Sequence, residues 1–212
     1  AARQLDDDPE IRPLILPPIA YAPTRYTGAW PGAVHVGEET LHALLVDVLT
    51  SLGEQGFKHT VIVNNHFEPE HVQTLHRAID TVRDRTGVLT GYLDLTRGYR
   101  ARRLTAEFRD GGSHAGQYET SLVLADHPEL VDREVLAALE EVPVNLAEML
   151  AAGHKDFTEI GMDRAYNGSP ARATAQEGHE SFAVLTDMLV EQMRALVRGT
   201  GGRDESGLYG RV

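Results

Sequence analysis

Two short stretches of the chain carry chemically useful residue types at useful spacings. The first is His66-Phe67-Glu68, which follows Asn64-Asn65 and the apolar run Val61-Ile62-Val63. In extended backbone, residues i and i+2 leave the chain on the same side. An imidazole and a carboxylate converging in this way suit a divalent metal such as zinc or manganese. Asn64 and Asn65 are placed to orient such ligands or to hold polar groups of a substrate. The competing reading is a polar loop with a capping histidine. The second stretch is Ser113-His114-Ala115-Gly116-Gln117-Tyr118-Glu119. A histidine here precedes two small residues and a helix whose first turn contains Glu119. A carboxylate near a helix N-terminus is favoured as the anion, which suits a metal ligand or a general base. The competing reading is that Glu119 caps backbone N–H groups.

A third stretch, residues 161–170, contains the turn signal Asn167-Gly168 and the helix start Ser169-Pro170. Its reading is mainly structural, with a loop able to line a site. The remaining histidines are scattered over helix faces and loops. His-Glu-x-x-His, Gly-x-Ser-x-Gly, the P-loop and Gly-x-Gly-x-x-Gly are all absent from the sequence.

The elements that must position these residues are legible from periodicity. Residues 38–52 read as an amphipathic helix, with Leu41, Leu44, Leu45, Val48, Leu49 and Leu52 on the 3.6-residue period. Residues 57–64 read as a strand, 69–85 as a second helix carrying Val72, Leu75, Ile79 and Val82, and 88–93 as a second strand. Strand–helix–strand order with short connections implies a right-handed crossover and a parallel sheet. Ligands of such sheets bind at the carboxyl ends of the strands, which is where residues 64–68 fall. Leu14 to Tyr21 reads as an apolar strand interrupted by Pro17-Pro18. Residues 21–37 read as a loop bearing Tyr21, Tyr26 and Trp30, either packed as ordinary surface or set at a subunit contact or pocket mouth. Further helices are expected over 119–125, 133–141, 145–152 and 175–198. The tail 199–212 lacks periodicity and is expected to be flexible.

The chain has 212 residues and a formal net charge of −12. That length fits one α/β domain, expected here over residues 1–198. The apolar runs are far shorter than the ~18–20 residues of a membrane span, so no membrane partner is expected. The acidic balance argues against nucleic acid. Residues 97–103 form a basic exception, read as a solvated loop pairing with the surplus acids, with a contact to an anionic substrate or RNA as the competing reading. The lack of cysteine removes disulfides, thiolate metal sites and cysteine nucleophiles, and fits a reducing compartment. A cytoplasmic location is therefore expected.

Four stretches together, in order, resemble the creatininase family of metal-dependent amidohydrolases. Val61-Ile62-Val63-Asn64-Asn65-His66-Phe67-Glu68 is similar to that family's strand followed by Asn-x-His, with a Glu two residues later. His114-Ala115-Gly116 followed by Glu119-Thr120-Ser121 is similar to its second signature. Gly168-Ser169-Pro170 with Ala173 and Gly178 resembles its C-terminal motif, and Trp30-Pro31-Gly32 its Phe-Pro-Gly-Thr loop. The resemblance implies a three-layer α/β fold with a mostly parallel central sheet flanked by helices. It also implies two divalent metals per complete chain, zinc or manganese, and a homo-oligomer, often a hexamer. The implied chemistry is hydrolysis of a C–N bond, typically a cyclic or formyl-type amide, in a small-molecule substrate. On this reading His66 and Glu68 are metal ligands, and Glu119 is a metal ligand or base. His114 protonates the leaving nitrogen, and Asn65, Phe67, Trp30 and Tyr118 contact substrate. The family's Glu-x-His-Gly-x-His motif does not precede Leu14, and Ala33 stands where the loop usually has Thr. The sequence is thus expected to lack the family's N-terminal strand and its ligands. The competing function is a non-catalytic oligomeric relative that binds a small molecule or a protein.

Overall fold

The computed structural model describes residues 1–112 and 114–200. Its contacts group into two compact units, one of residues 1–94 with the last helix from Asp187 onward, the other of Leu95–Thr186.

In the first unit, α1 (Glu38–Glu54) opens with two glutamates that favour the positive end of its dipole. It buries Leu41, Leu45, Val46 and Leu49, whereas Leu44 faces outward. Its partner α2 (Pro69–Thr86) begins with a proline, whose missing N–H costs nothing at that position. It ends at Gly87 (φ 74°), whose N–H returns to the Arg83 carbonyl at 2.9 Å. Between the helices in sequence lies β1 (His59–Ile62), which pairs in parallel with β2 (Leu89–Tyr92) in the register His59 to Leu89 through Ile62 to Tyr92. Thr60 and Thr90 hydroxyls meet at 2.7 Å across that pair. The core joins Leu41, Leu45 and Leu49 of α1 to Val72, Leu75 and Val82 of α2 and to Tyr92. Each such aliphatic side chain contributes roughly 1.5–3 kcal/mol on burial. The parallel pairing and the crossover helix are those expected from the pattern.

Residues 14–21 are not a strand. They run as irregular chain with Leu14 66% and Ile15 79% exposed. Pro13, Pro17 and Pro18 cannot donate ladder hydrogen bonds, so the apolar character of this segment does not make it pair. The same segment borders a cavity of about 410 Å³ together with Leu49, Phe57, Val61, Met193 and Leu196. No candidate site residue lines it.

The second unit consists of short helices, three of which start on side-chain caps. They are α3 (Gly98–Ala101), α4 (Ala106–Arg109), α5 (Gln117–Asp126), α6 (Arg133–Ala137) and α7 (Leu146–Ala151), followed by the start of α8 (Ala175–Val197). Thr105, Asp132 and Asn145 accept from backbone N–H groups at the starts of α4, α6 and α7. The basic run 97–103 winds into α3 and a turn rather than an open loop. α6 is shorter than its sequence pattern, because Val142 leaves to bridge Gly168 in antiparallel fashion. Where α8 passes α5, Gly178 lies so close to the Ser121 carbonyl that a side-chain carbon there would overlap it. Among the described residues no helix is long and apolar enough to cross a membrane. Of the expected tail, residues 201–212 lie outside the described residues, as does Ser113.

Candidate functional site

In the first unit the polar turn begins where β1 ends. Asn64 closes it by donating from Nδ2 to the His66 carbonyl at 2.7 Å and accepting at Oδ1 from the His66 N–H at 3.3 Å. His66 and Glu68 leave the chain toward the same segment. His66 Nε2 donates to the Pro23 carbonyl at 2.8 Å. Glu68 accepts from the Thr24 hydroxyl at 3.2 Å, the Arg25 N–H at 2.9 Å and the Tyr26 N–H at 3.2 Å. The pair therefore grips the start of the aromatic loop. That loop is also fixed by the Thr24 N–H, which donates to His35 Nδ1 at 3.0 Å. Tyr26 is buried, Trp30 and Phe67 are half-buried, and Asn65 is exposed.

Behind the turn, His71 donates from Nε2 to Asn64 Oδ1 at 2.9 Å, and its ring meets that of His66 edge-on at 4.8 Å. Burial first, and then the neighbouring His66, push the His71 pKa down to about 4, so its ring is neutral near pH 7. Its Nδ1 is buried without a hydrogen-bond partner. At the end of β2 the buried Asp94 accepts from His76 Nε2 at 3.0 Å.

These side chains differ in how well they suit a metal. With Nε2 protonated toward Pro23, the lone pair of His66 sits on Nδ1, a tautomer suited to coordination. The Glu68 carboxylate, by contrast, is already held by three donors. Among the described residues no three His, Asp or Glu side chains converge as a ligand set. The described residues therefore do not make a metal site on their own.

In the second unit the histidine and the acid of the second stretch are locked by different means. The His114 N–H donates to Asn167 Oδ1 and the Asn167 N–H to the His114 carbonyl, both at 3.0 Å. The His114 ring lies on Phe157 with centroids 4.7 Å apart. Asn167 is fully buried, and its Nδ2 donates to the carbonyls of Gly111 and Val144. Ala115 then adopts φ 50°, a left-handed conformation that costs a non-glycine residue on the order of 1 kcal/mol or more. Its N–H donates to Glu119 Oε2 at 2.7 Å. Burial raises the Glu119 pKa to about 7, against the lowering effect of that bond and with a further rise from Glu107. Tyr118 is fully buried, its ring edge-on to Phe108 at 4.8 Å and its hydroxyl without a hydrogen-bond partner. This makes Tyr118 a core residue rather than a surface that a substrate reaches.

Three residues that hold the sites escaped the sequence reading. His71 looked like one scattered histidine among several, and Asn167 like a turn signal. Glu107 accepts from the N–H groups of Gln117, Tyr118 and Ser169 at 2.9, 3.0 and 2.9 Å. Its only trace in the sequence is the set of glycines at 112, 116 and 168, which becomes meaningful once the chain is folded.

Two parallel strands with a helix crossing between them, ending in a polar turn, define an α/β protein. The family model described as Creatininase (creatinine amidohydrolase) matches residues 1–193, and the chain belongs to the creatininase family. It is 29% identical over 199 residues to a mycofactocin precursor peptide peptidase of Mycobacterium ulcerans (strain Agy99), covering 89% of this chain and 69% of that protein. It resembles a solved putative creatinine amidohydrolase of Bacteroides fragilis NCTC 9343 with a TM-score of 0.66 at 18% identity, over 93% of this chain and 77% of that one. A solved creatininase variant of zinc–zinc type gives a TM-score of 0.58 at 18% identity, over 82% and 71% of the two chains. The chain spans about two thirds of the length of the mycobacterial relatives it matches.

Proposed function

We propose that the protein hydrolyses an amide C–N bond, with Glu119 and His114 exchanging the protons. The observation that carries this reading is the half-buried Glu119 carboxyl, held by the Ala115 N–H at 2.7 Å in the first turn of α5, with desolvation pushing its pKa up to about 7. A carboxyl in that range both takes and returns a proton near neutral pH, as a general base must. Glu119 takes a proton from the attacking water. His114, its backbone clasped by Asn167, gives one to the leaving nitrogen. For the substrate we favour the amide bond of a short peptide over a cyclic amide. The relatives named as peptidases are 29–30% identical to this chain, whereas the solved creatininases are 17–18% identical.

Dependence on zinc or manganese is part of the proposal, and the zinc–zinc form of a structural neighbour supports it. Among the described residues His66 is the donor best prepared for it. A homo-oligomer with the aromatic loop at a contact or pocket mouth completes the reading.

The test is incubation of the protein with zinc or manganese and either short peptides or creatinine, with products followed by mass spectrometry. Peptide cleavage is expected. Turnover of creatinine alone reverses the substrate assignment. Inertness toward both at saturating metal favours the non-catalytic binder.

A further inference from the structure

The second unit contains a carboxylate that neither the family resemblance nor the hydrolytic chemistry calls on. Glu107 stands in α4, and its side chain is the meeting point of three separate segments. Its Oε1 accepts from the Gln117 and Ser169 N–H groups, both at 2.9 Å, and its Oε2 from the Tyr118 N–H at 3.0 Å. Its own carbonyl accepts from the Gly112 N–H at 2.9 Å. Gly112, Gly116 and Gly168 each lie so near this side chain that a carbon added at any of them would overlap it. Gly112 lies two residues before His114. Gly116 caps the helix that carries Glu119, and Gly168 follows Asn167, which clasps His114.

We propose that Glu107 is the positioning residue of this site: its carboxylate holds the Asn167 turn and the first turn of α5 together, and so fixes His114 relative to Glu119. Two features separate this role from ordinary packing. An isolated carboxylate is costly to bury, and here three backbone donors compensate it, so removing the carboxylate group leaves those donors without their acceptor. The three glycines also show that the backbone closes to hydrogen-only distance around this one side chain. The role rests on the hydrolase reading of His114 and Glu119, but the geometry it predicts is measurable without activity.

The experiment compares wild type with Glu107→Gln and Glu107→Ala by residue-resolved amide hydrogen exchange. In Glu107→Gln the amide oxygen still serves Gln117 and Ser169, but an NH₂ group faces the Tyr118 N–H. Exchange at Tyr118 is expected to rise about tenfold or more, and exchange at Ala115, held by Glu119, to rise with it by at least about fivefold. Amides of α1 and α2 are expected to stay unchanged. If Ala115 stays within about twofold of wild type while Tyr118 speeds up, Glu107 is a local brace and the proposal is overturned. No change at Tyr118 overturns it as well. Glu107→Ala extends the loss to Gln117 and Ser169; should it fail to fold, Glu107→Gln alone still decides. With an active wild type, kcat is expected to fall about tenfold in Glu107→Gln with KM within about twofold. A wild type inert toward every amide removes the hydrolase reading and leaves the exchange result to judge the positioning.

Discussion

Glu68 and Glu119 occupy matching places in their two units. Each follows a histidine by a few residues, and each stands at the N-terminal end of a helix, α2 or α5. Their surroundings differ. Glu68 is gripped by a hydroxyl and two N–H groups from a loop more than forty residues earlier, so its oxygens are taken up in fixing that loop. Glu119 receives its Ala115 bond from four residues away, and its burial outweighs that bond enough to move its pKa to about 7. The same residue type at the same kind of helix end thus serves as an acceptor that fixes a loop in one unit and as a carboxyl with a displaced pKa in the other. What decides between these roles is the donor supply.

The sharpest way to break this contrast is Glu119→Gln, which keeps the shape and removes the proton. Loss of about 10²–10⁴ in kcat/KM is expected, the usual contribution of a positioned base. A raised carboxyl pKa means that the folded protein holds a proton the unfolded chain has released. The stability linked to it is full below pH ~4.5 and disappears as pH rises through about 7, at most on the order of 3 kcal/mol. Urea unfolding of chelated wild type should therefore lose stability against Glu119→Gln across that window. Parallel curves would place the acid in ordinary solvent.

Next in size is Glu68→Ala in the chelated protein. Three donors lose their acceptor, and a cost of about 2–4 kcal/mol in urea unfolding is expected. A neutral result would mean that the loop does not depend on this carboxylate and that its role lies with an added ligand.

His71 sharpens the comparison from the acid side. Its pKa lies below the unfolded value, so the neutral ring favours folding above pH ~6.5. That stability drains as pH falls toward about 4, by roughly 2–3 kcal/mol. His71→Gln is expected to flatten this limb of the stability profile, and an unaltered limb assigns it to the carboxylates. The smallest effect is reserved for Trp30→Ala, which should weaken self-association or substrate binding by about 1 kcal/mol. Sedimentation and substrate titration read the two arms, and no change in either makes the loop plain surface.

What the sequence revealed depended on how far each interaction reaches along the chain. Leu41 to Val82 lie on a 3.6-residue period, so α1, α2 and the parallel pair between and after them were legible in the local pattern. The His66–Glu68 spacing correctly implied side chains leaving together. It could not show that their target is the Pro23–Tyr26 segment, because that contact spans more than forty residues. His114 with Asn167 and Glu107 with Ser169 are more remote still, at separations of 53 and 62. The segment Leu14–Tyr21 misled for a different reason, since its composition reads as strand while its prolines withhold the donors a strand needs.

The approach of α8 to α5 bears on how this protein would respond to random mutation. At Gly178 any side chain would meet the Ser121 carbonyl, a backbone atom that cannot rotate away, while a carbon added at Gly37 meets nothing within 4 Å. A saturation library scored for soluble yield should therefore reject nearly every change at Gly178 and accept alanine at Gly37. Gly178 touches neither His114 nor Glu119 by any bond described above, yet it would score as severely as a catalytic residue. Intolerance to substitution in this protein is a map of where helices touch as much as of where chemistry happens.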